Sequence, residues 1–186
     1  MLNQVKTKVR ALIEDSVNTN FEVFEYISSK IFTLSESNIV SITKVLKNGS
    51  DLGSGDYDYD STTNKIEIIP SLVQGDNIEV DYTYNKYSDS ELNGFITAAL
   101  VWISVFSTCS QDFELETTTI EPTPSNRELD LIALITSILI KPDWSEYRLP
   151  NVTVKYPRTM TKEEKIERLV QKFNSGIGIL DVIEMN

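Results

Sequence analysis

The chain reads Asp76-Asn77-Ile78-Glu79-Val80-Asp81-Tyr82-Thr83-Tyr84-Asn85 at the end of a β-rich block that spans residues 31–85. Within this stretch apolar residues alternate with polar ones, at Ile78, Val80, Tyr82 and Tyr84. A period of two is typical of a strand that buries one face. Gln74-Gly75-Asp76 supplies turn residues just before it. The block therefore ends in a half-buried β-strand.

Strand signals also occur upstream in the block. Ile31-Phe32-Thr33-Leu34 begins it, and Ile42–Lys47 runs into the turn pair Asn48-Gly49, a strong hairpin signal. Asp56–Asp60 alternates tyrosine with aspartate, and Lys65–Ile68 repeats the apolar alternation. These patterns predict a compact module of short antiparallel strands joined by turns.

The order of these segments resembles a small β module of structural proteins in tailed bacteriophages. The resemblance is carried by the strand ending in Lys47-Asn48-Gly49, then Asp56–Asp60, Asn64–Ile68 and Gly75–Tyr82. A capping motif, Ser88-Asp89-Ser90-Glu91, and a long apolar helix follow, and with them residues 1–110 resemble head-tail connector proteins, also called adaptor or neck ring proteins. Such proteins act by binding, and no catalytic motif accompanies the resemblance.

Helical signals lie on both sides of the block. Leu2, Val5, Val9, Leu12 and Ile13 have the spacing of one helix face, and Phe21–Lys30 favours a short helix, with a strand as the alternative. Capping-box patterns at Ser88–Glu91, Ser125–Glu128 and Thr161–Glu164 predict three more helix starts. The stretches from Asp112 to Pro124 and from Lys141 to Met160 are predicted to be long connections.

These signals together predict an α+β fold. A helical bundle body is expected from residues 1–30 and 86–174, with a small antiparallel β module inserted at 31–85. The segment 175–186 is expected to be a C-terminal docking tail, because termini usually fray unless they are tied down and this one is rich in β-branched apolar residues.

Composition limits the classes of partner. The formal net charge is -11, from 17 basic and 28 acidic residues, so specific nucleic-acid binding is not expected. The single cysteine, Cys109, fits a small buried hydrophobe, and the N-terminus lacks the pattern of a signal peptide. Residues 92–111 are uncharged, but their polar content and acidic flanks favour a buried helix over a membrane span.

Candidate chemistry is sparse in this sequence. There is no histidine, which removes the commonest general base and all His metal ligands, so no catalytic residue, cofactor or metal site is predicted. One pattern resembles the ligand spacing of a helix-loop-helix calcium site: Asp56, Asp58, Asp60, Thr62, Asn64 and Glu67. Ser61 replaces the glycine that the sharp turn of such a loop needs, and both flanks are predicted strands. We therefore interpret these carboxylates as solvated edge residues.

Candidate partner-binding residues lie in two segments. Trp144 and Tyr147 stand in the connection between Pro142 and Pro150, where they either anchor the loop locally or contact another subunit. The apolar residues of the tail could bury against a partner or fold back on their own subunit: Ile177, Ile179, Leu180, Val182 and Ile183.

The resemblance leads to a functional expectation. It implies a structural, non-enzymatic virion protein in a homo-oligomeric ring, usually dodecameric, that joins the portal to other neck and tail proteins around the DNA channel. Its location would be the neck of the virion, and the host cytoplasm during assembly. The alternative is a tail or appendage component whose β module binds carbohydrate or another surface, and neither function involves a membrane.

Overall fold

A computed structural model describes residues 1–106, 112–150, 152–175 and 183–184. The chain divides into two compact units. The β unit is Ser16–Ser88, and the mixed unit consists of Met1–Asp15 together with Asp89–Asn186. Cys109 and most of the predicted tail lie outside the described residues.

The β unit contains two sheets that share one core. Its strands are β1 (Asn18–Glu25), β2 (Ile31–Thr33), β3 (Ile39–Lys47), β4 (Ser50–Asp51), β5 (Tyr57–Asp60), β6 (Lys65–Ile68) and β7 (Asn77–Tyr84). One sheet has the order β1-β7-β3-β4 and the other the order β2-β6-β5, and all their pairings are antiparallel. Buried residues from both sheets form the core: Phe32, Leu34, Val45, Ile66, Ile68, Leu72, Ile78, Val80 and Tyr82.

The strands predicted within residues 31–85 are confirmed. In β7 the alternating residues Ile78, Val80 and Tyr82 are buried, as the period of two requires. The Asn48-Gly49 pair forms the turn between β3 and β4, and both residues have positive φ, 51° and 81°. Two successive positive φ angles are the geometry for which Asn-Gly is favoured in hairpins.

The mixed unit contains four helices. These are α1 (Leu2–Leu12), α2 (Asp89–Phe106), α3 (Asn126–Ile140) and α4 (Lys162–Asn174). Helix α3 is its centre, because it contacts the other three helices and every residue from Leu129 to Ile138 is buried. Its buried hydroxyls are satisfied within the helix, where Thr136 and Ser137 donate to carbonyl oxygens one turn earlier at 2.7 and 2.8 Å.

Two of the predicted capping boxes are confirmed in full. Ser125 caps α3 and Thr161 caps α4, with the side chain accepting from the amide three residues later and that residue's glutamate accepting in return. Helix α2 begins at Asp89, within the third predicted motif. Each box satisfies two amides that a helix start leaves without partners.

Short strands also occur in the mixed unit. They are β8 (Glu114–Leu115), β9 (Ile120–Glu121), β10 (Glu146–Leu149), β11 (Val152–Lys155) and β12 (Ile183–Glu184). Strands β8 and β9 pair with each other, whereas β10, β11 and β12 form a three-stranded sheet. The two predicted long connections therefore contain strand pairs.

The predicted helical bundle body is wrong. The described residues form a mixed α/β fold with four helices and four small sheets. The short helix predicted in Phe21–Lys30 is also wrong, because β1 pairs with β7 over eight residues and stacks Phe24 on Phe32 with ring centroids 5.0 Å apart. Pairing along a full strand outweighs a weak local helix signal.

Candidate interaction surfaces

Tyr147 is an internal anchor of the loop after α3. Its side chain is 1% exposed, and its hydroxyl donates a hydrogen bond to the carbonyl oxygen of Lys141. Its ring lies between those of Trp144 and Tyr156, with centroid separations of 6.5 and 6.1 Å. Burial raises the pKa of both tyrosines, so they stay neutral and act as packing residues. A partner cannot reach Tyr147 without opening this cluster.

Lys165 fixes the same loop from helix α4. Although it is a lysine, it is 1% exposed, and its ammonium donates to the carbonyl oxygens of Pro142 and Trp144, the latter at 2.9 Å. The ammonium also lies 5.9 Å from the centroid of the Tyr156 ring. Burial lowers its pKa, and the nearby Asp143 carboxylate acts in the opposite direction. This role could not be predicted from local sequence, because Lys165 stands in a charged run typical of a solvated helix.

Trp144 is the member of the cluster that a partner can reach. It is half-buried and lines a groove of about 430 Å³ together with Ala11, Leu12, Glu14, Glu146 and Arg148. Lys141 lies over the indole with its ammonium 5.3 Å from the ring centroid. Of the two aromatic residues predicted to bind a partner, the geometry favours Trp144.

The predicted docking tail is only partly described. Ile177, Ile179, Leu180 and Val182 lie outside the described residues. Ile183 belongs to β12, which runs parallel to β11 and pairs Ile183 with Val154 and Glu184 with Lys155. This pairing corresponds to the alternative in which the tail folds back on its own subunit. Binding of a partner by the tail stays a prediction.

Helix α2 has an exposed apolar face. Val101 and Val105, one turn apart, are 56% and 67% exposed, whereas Ile96, Leu100 and Ile103 are buried. Next to the valines, the rings of Trp102 and Phe106 stack with centroids 5.1 Å apart. A groove of about 410 Å³ runs from this face to β8. Helix α2 thus has one buried face and one exposed apolar face, and it carries no charged residue from Leu92 to Phe106.

The acidic residues that resemble calcium ligands lie in a β-hairpin. Asp58 and Asp60 belong to β5, Glu67 belongs to β6, and the turn between the strands gives Asn64 a φ of 57°. The carboxylate of Asp60 accepts from the amide of Thr62 and the hydroxyl of Thr63 at 2.8 and 2.7 Å. Among the described residues no cluster of three or more acidic or cysteine side chains is placed to hold a metal ion.

The basic residues of α1 are paired with carboxylates. Lys8 bonds the buried Asp130 of α3, while Lys6 and Arg10 each bond Asp89 at 2.9 Å, and Arg10 also bonds Asp15. The pKa of Asp89 is lowered, chiefly by its bond with Lys6. These cations therefore serve the fold of the mixed unit. The pairs with Asp89 and Asp130 were missed because these partners are remote in sequence.

Comparison with known proteins gives no identification. No known protein family matches the chain, and no curated protein matches it in sequence. Within the described residues, none of the helices has the length and hydropathy needed to cross a membrane.

Proposed function

We propose that the protein is a structural, non-enzymatic subunit of a head-to-tail connector ring in a tailed bacteriophage, where it joins the portal to the tail around the DNA channel. The order of elements supports the proposal: the strands of the β unit are followed directly by the long apolar helix α2. That order is the basis of the resemblance to connector proteins, from which a dodecameric ring is the expected assembly.

The observation that carries the proposal is the exposed apolar face of α2. Val101, Val105 and Phe106 are exposed, and the sequence has no charged residue from Leu92 to Phe106. Contiguous apolar surface of this kind marks protein contacts. In a chain with a net charge of -11, an uncharged helix face is also the surface at which two copies approach with the least repulsion.

One helix face is too small for a stable pair of subunits. Specific interfaces bury about 800 Å² on each partner, more than a few turns of helix provide. In a closed ring every subunit makes this contact and further contacts with its neighbours. Because the ring closes, all of these contacts belong to one cooperative assembly. The groove beside Trp144 supplies a second surface for such contacts.

The acidic charge of the chain suits a channel that DNA must slide through. Binding to DNA is dominated by cations that neutralise phosphates, and a wall of like charge avoids such contacts. In α1, Lys6, Lys8 and Arg10 form ion pairs with carboxylates of their own unit. The excess of acidic residues therefore determines the sign of the electrostatic potential.

The alternative, a carbohydrate-binding appendage, needs aromatic rings in a shallow open groove. In the β unit Tyr57, Tyr59 and Tyr84 instead pack against the shared core. These three tyrosines thus favour a structural role over sugar recognition.

The test is the mass of the purified protein by light scattering over a range of concentrations, with electron-microscopic class averages of the particles formed. We expect closed rings of wild-type protein. The double variant Val101→Glu/Val105→Glu should stay monomeric, whereas Val40→Glu, an exposed valine of the β unit, should form rings. A wild-type monomer or trimer with affinity for sugars would reject the connector in favour of the appendage.

A further inference from the structure

We propose that strand β1 accepts an added strand from a partner protein, an extended segment that presents apolar and basic residues on one face. The inference rests on the β unit alone and goes beyond the connector role. It would stand for a protein that forms no ring. Strand addition of this kind uses main-chain hydrogen bonds for affinity and alternate side chains for specificity.

Strand β1 is an edge strand of the four-stranded sheet. It stands at the end of the order β1-β7-β3-β4 and pairs with β7 over eight consecutive residues without a register shift. Proteins usually protect edge strands with lysine, proline or β-bulges. The sequence of Asn18–Glu25 contains neither lysine nor proline. The edge lacks each of these three protections.

The opposite side of the same sheet is protected. Strand β3 has two register shifts in its pairing with β7, at Ile39/Ser41 and Ile42/Lys44, and it carries Lys44 and Lys47. Strand β4 pairs with Leu46 and Lys47 at the end of β3. The contrast between the two sides indicates that β1 is the side left open for a partner.

The outer face of β1 is apolar and exposed. Phe21 is 65% exposed and Val23 is 57% exposed, and both lie on the side of the strand that faces away from the core. Pairs of aromatic and β-branched side chains on adjacent strands stabilise a sheet. A strand laid along β1 would cover both residues with its own apolar side chains.

The inner face holds β1 in strand conformation before any partner binds. Phe24 stacks on Phe32, and the Glu22 carboxylate accepts from the amide of Ser35 at 2.9 Å and from the hydroxyl of Tyr82. A preformed edge lowers the entropy cost of ordering on binding. Only the incoming segment has to become ordered.

The charges near this edge determine which strand fits. Glu25 is exposed at the end of β1, while on β7 Asp81 stands opposite Phe21 and Glu79 stands opposite Val23. Because β1 itself has no basic residue, the complementary strand carries lysine or arginine beside its apolar residues. A second copy of β1 is disfavoured as the added strand, because it would place acidic side chains beside acidic side chains.

The experiment uses the full chain, labelled for NMR, and two synthetic peptides. Lys-Thr-Val-Thr-Val-Thr-Lys presents two valines and two lysines on one face in either strand direction, and Glu-Thr-Val-Thr-Val-Thr-Glu is its acidic counterpart. We expect the basic peptide to shift the amide signals of residues 18–25 and to bind roughly tenfold more tightly than the acidic one, about 1.4 kcal/mol. Equal affinity, or shifts confined to other strands, would overturn the proposal.

Matched variants locate the binding edge. Val23→Lys places a protecting lysine on β1, and Val40→Lys places the same charge at an exposed valine of β3. We expect Val23→Lys to lose peptide binding and Val40→Lys to keep it, with the same melting temperature for both. Phe21→Thr adds no charge, and it should also weaken peptide binding. Concentration-dependent self-association that Val23→Lys abolishes would make a second copy the occupant and refute the basic partner.

Discussion

Lys165 donates a hydrogen bond from its ammonium to the main-chain carbonyl oxygen of Trp144 at 2.9 Å. The bond ties helix α4 to the loop that presents the Trp144 side chain to the groove between α1 and β10. An ammonium has three donors, and here a second one holds the carbonyl oxygen of Pro142. Helix α4 thereby helps to set the position of Trp144.

The first prediction is that Lys165→Met loosens this loop. Removing the ammonium leaves the carbonyl oxygens of Pro142 and Trp144 without their donor, which costs about 1–3 kcal/mol of unfolding free energy. Urea unfolding measures the loss, and fluorescence in a Trp102→Phe background reports on Trp144 alone. Lys162→Met, at an exposed lysine of the same helix, should change neither signal. Equal effects of the two variants would show that Lys165 contributes only its charge.

The second prediction concerns Asp76, which joins two turns of the β unit. Its carboxylate accepts from the amide of Val73, the side-chain amide of Asn48 and the ammonium of Lys47 at 2.8, 2.7 and 3.0 Å. These bonds, the Val73 amide first, lower the pKa of Asp76 to about 2 from an ordinary 3.8. The carboxylate therefore stabilises the fold above about pH 4, and this contribution disappears as the pH falls towards 2.

We expect Asp76→Asn to unfold at lower urea concentration than wild type near neutral pH, with the difference narrowing between pH 4 and pH 2. Asp58→Asn, on the exposed side of β5, is the control and should follow wild type throughout. A difference that stays constant down to pH 2 would mean that Asp76 acts through its shape instead of its charge.

The third prediction separates the two faces of α2. Ile103→Ala removes a side chain that is 2% exposed and should cost about 2–5 kcal/mol of unfolding free energy, since it leaves a cavity. Val101→Ala, at a side chain that is 56% exposed, should change it by no more than about 0.5 kcal/mol. Chemical denaturation of the unassembled subunit measures both. A large cost at Val101 would indicate that this face is covered within the subunit.

The fourth prediction is that calcium and chelators leave the melting temperature unchanged. The Asp60 carboxylate is engaged by its own turn, and the Asn64 side chain donates to the carbonyl oxygens of Leu34 and Glu36, both at 2.7 Å. These groups hold the hairpin together without a cation. Asp60→Ala should lower the melting temperature equally with and without calcium. A rise of several degrees on addition of calcium to wild type would contradict this.

Local patterns in the sequence predicted those elements whose physics is local. Alternation in β7, the Asn-Gly turn and the capping boxes at Ser125 and Thr161 depend on neighbouring residues, and all were found. Strand β1 was predicted only as the alternative to a helix, because its outer face is also apolar. Phe21, Val23 and Phe24 break the alternation, and Phe21 and Phe24 imitate the three-residue spacing of a helix.

The candidate site was predictable only in part. Trp144 and Tyr147 stood out as aromatic residues between prolines, yet which of them is accessible depends on Lys141 and Tyr156, whose positions no local pattern reveals. The strands β8 and β9 have two residues each, fewer than a periodic pattern needs to be recognised. This contributed to the prediction of a helical bundle body with an inserted β module, where the chain forms a mixed α/β fold.

Arg10 forms ion pairs with the two residues that flank the β unit in the sequence. Asp15 is the last residue before that unit, and Asp89 is the first residue after it. Holding these two residues together closes the intervening segment as a loop, and the entropy cost of closure grows only slowly with loop length. We therefore expect that the mixed unit can fold while residues 16–88 are still disordered. Folding of the β unit would then begin from ends already brought together, and its failure would leave the helices intact.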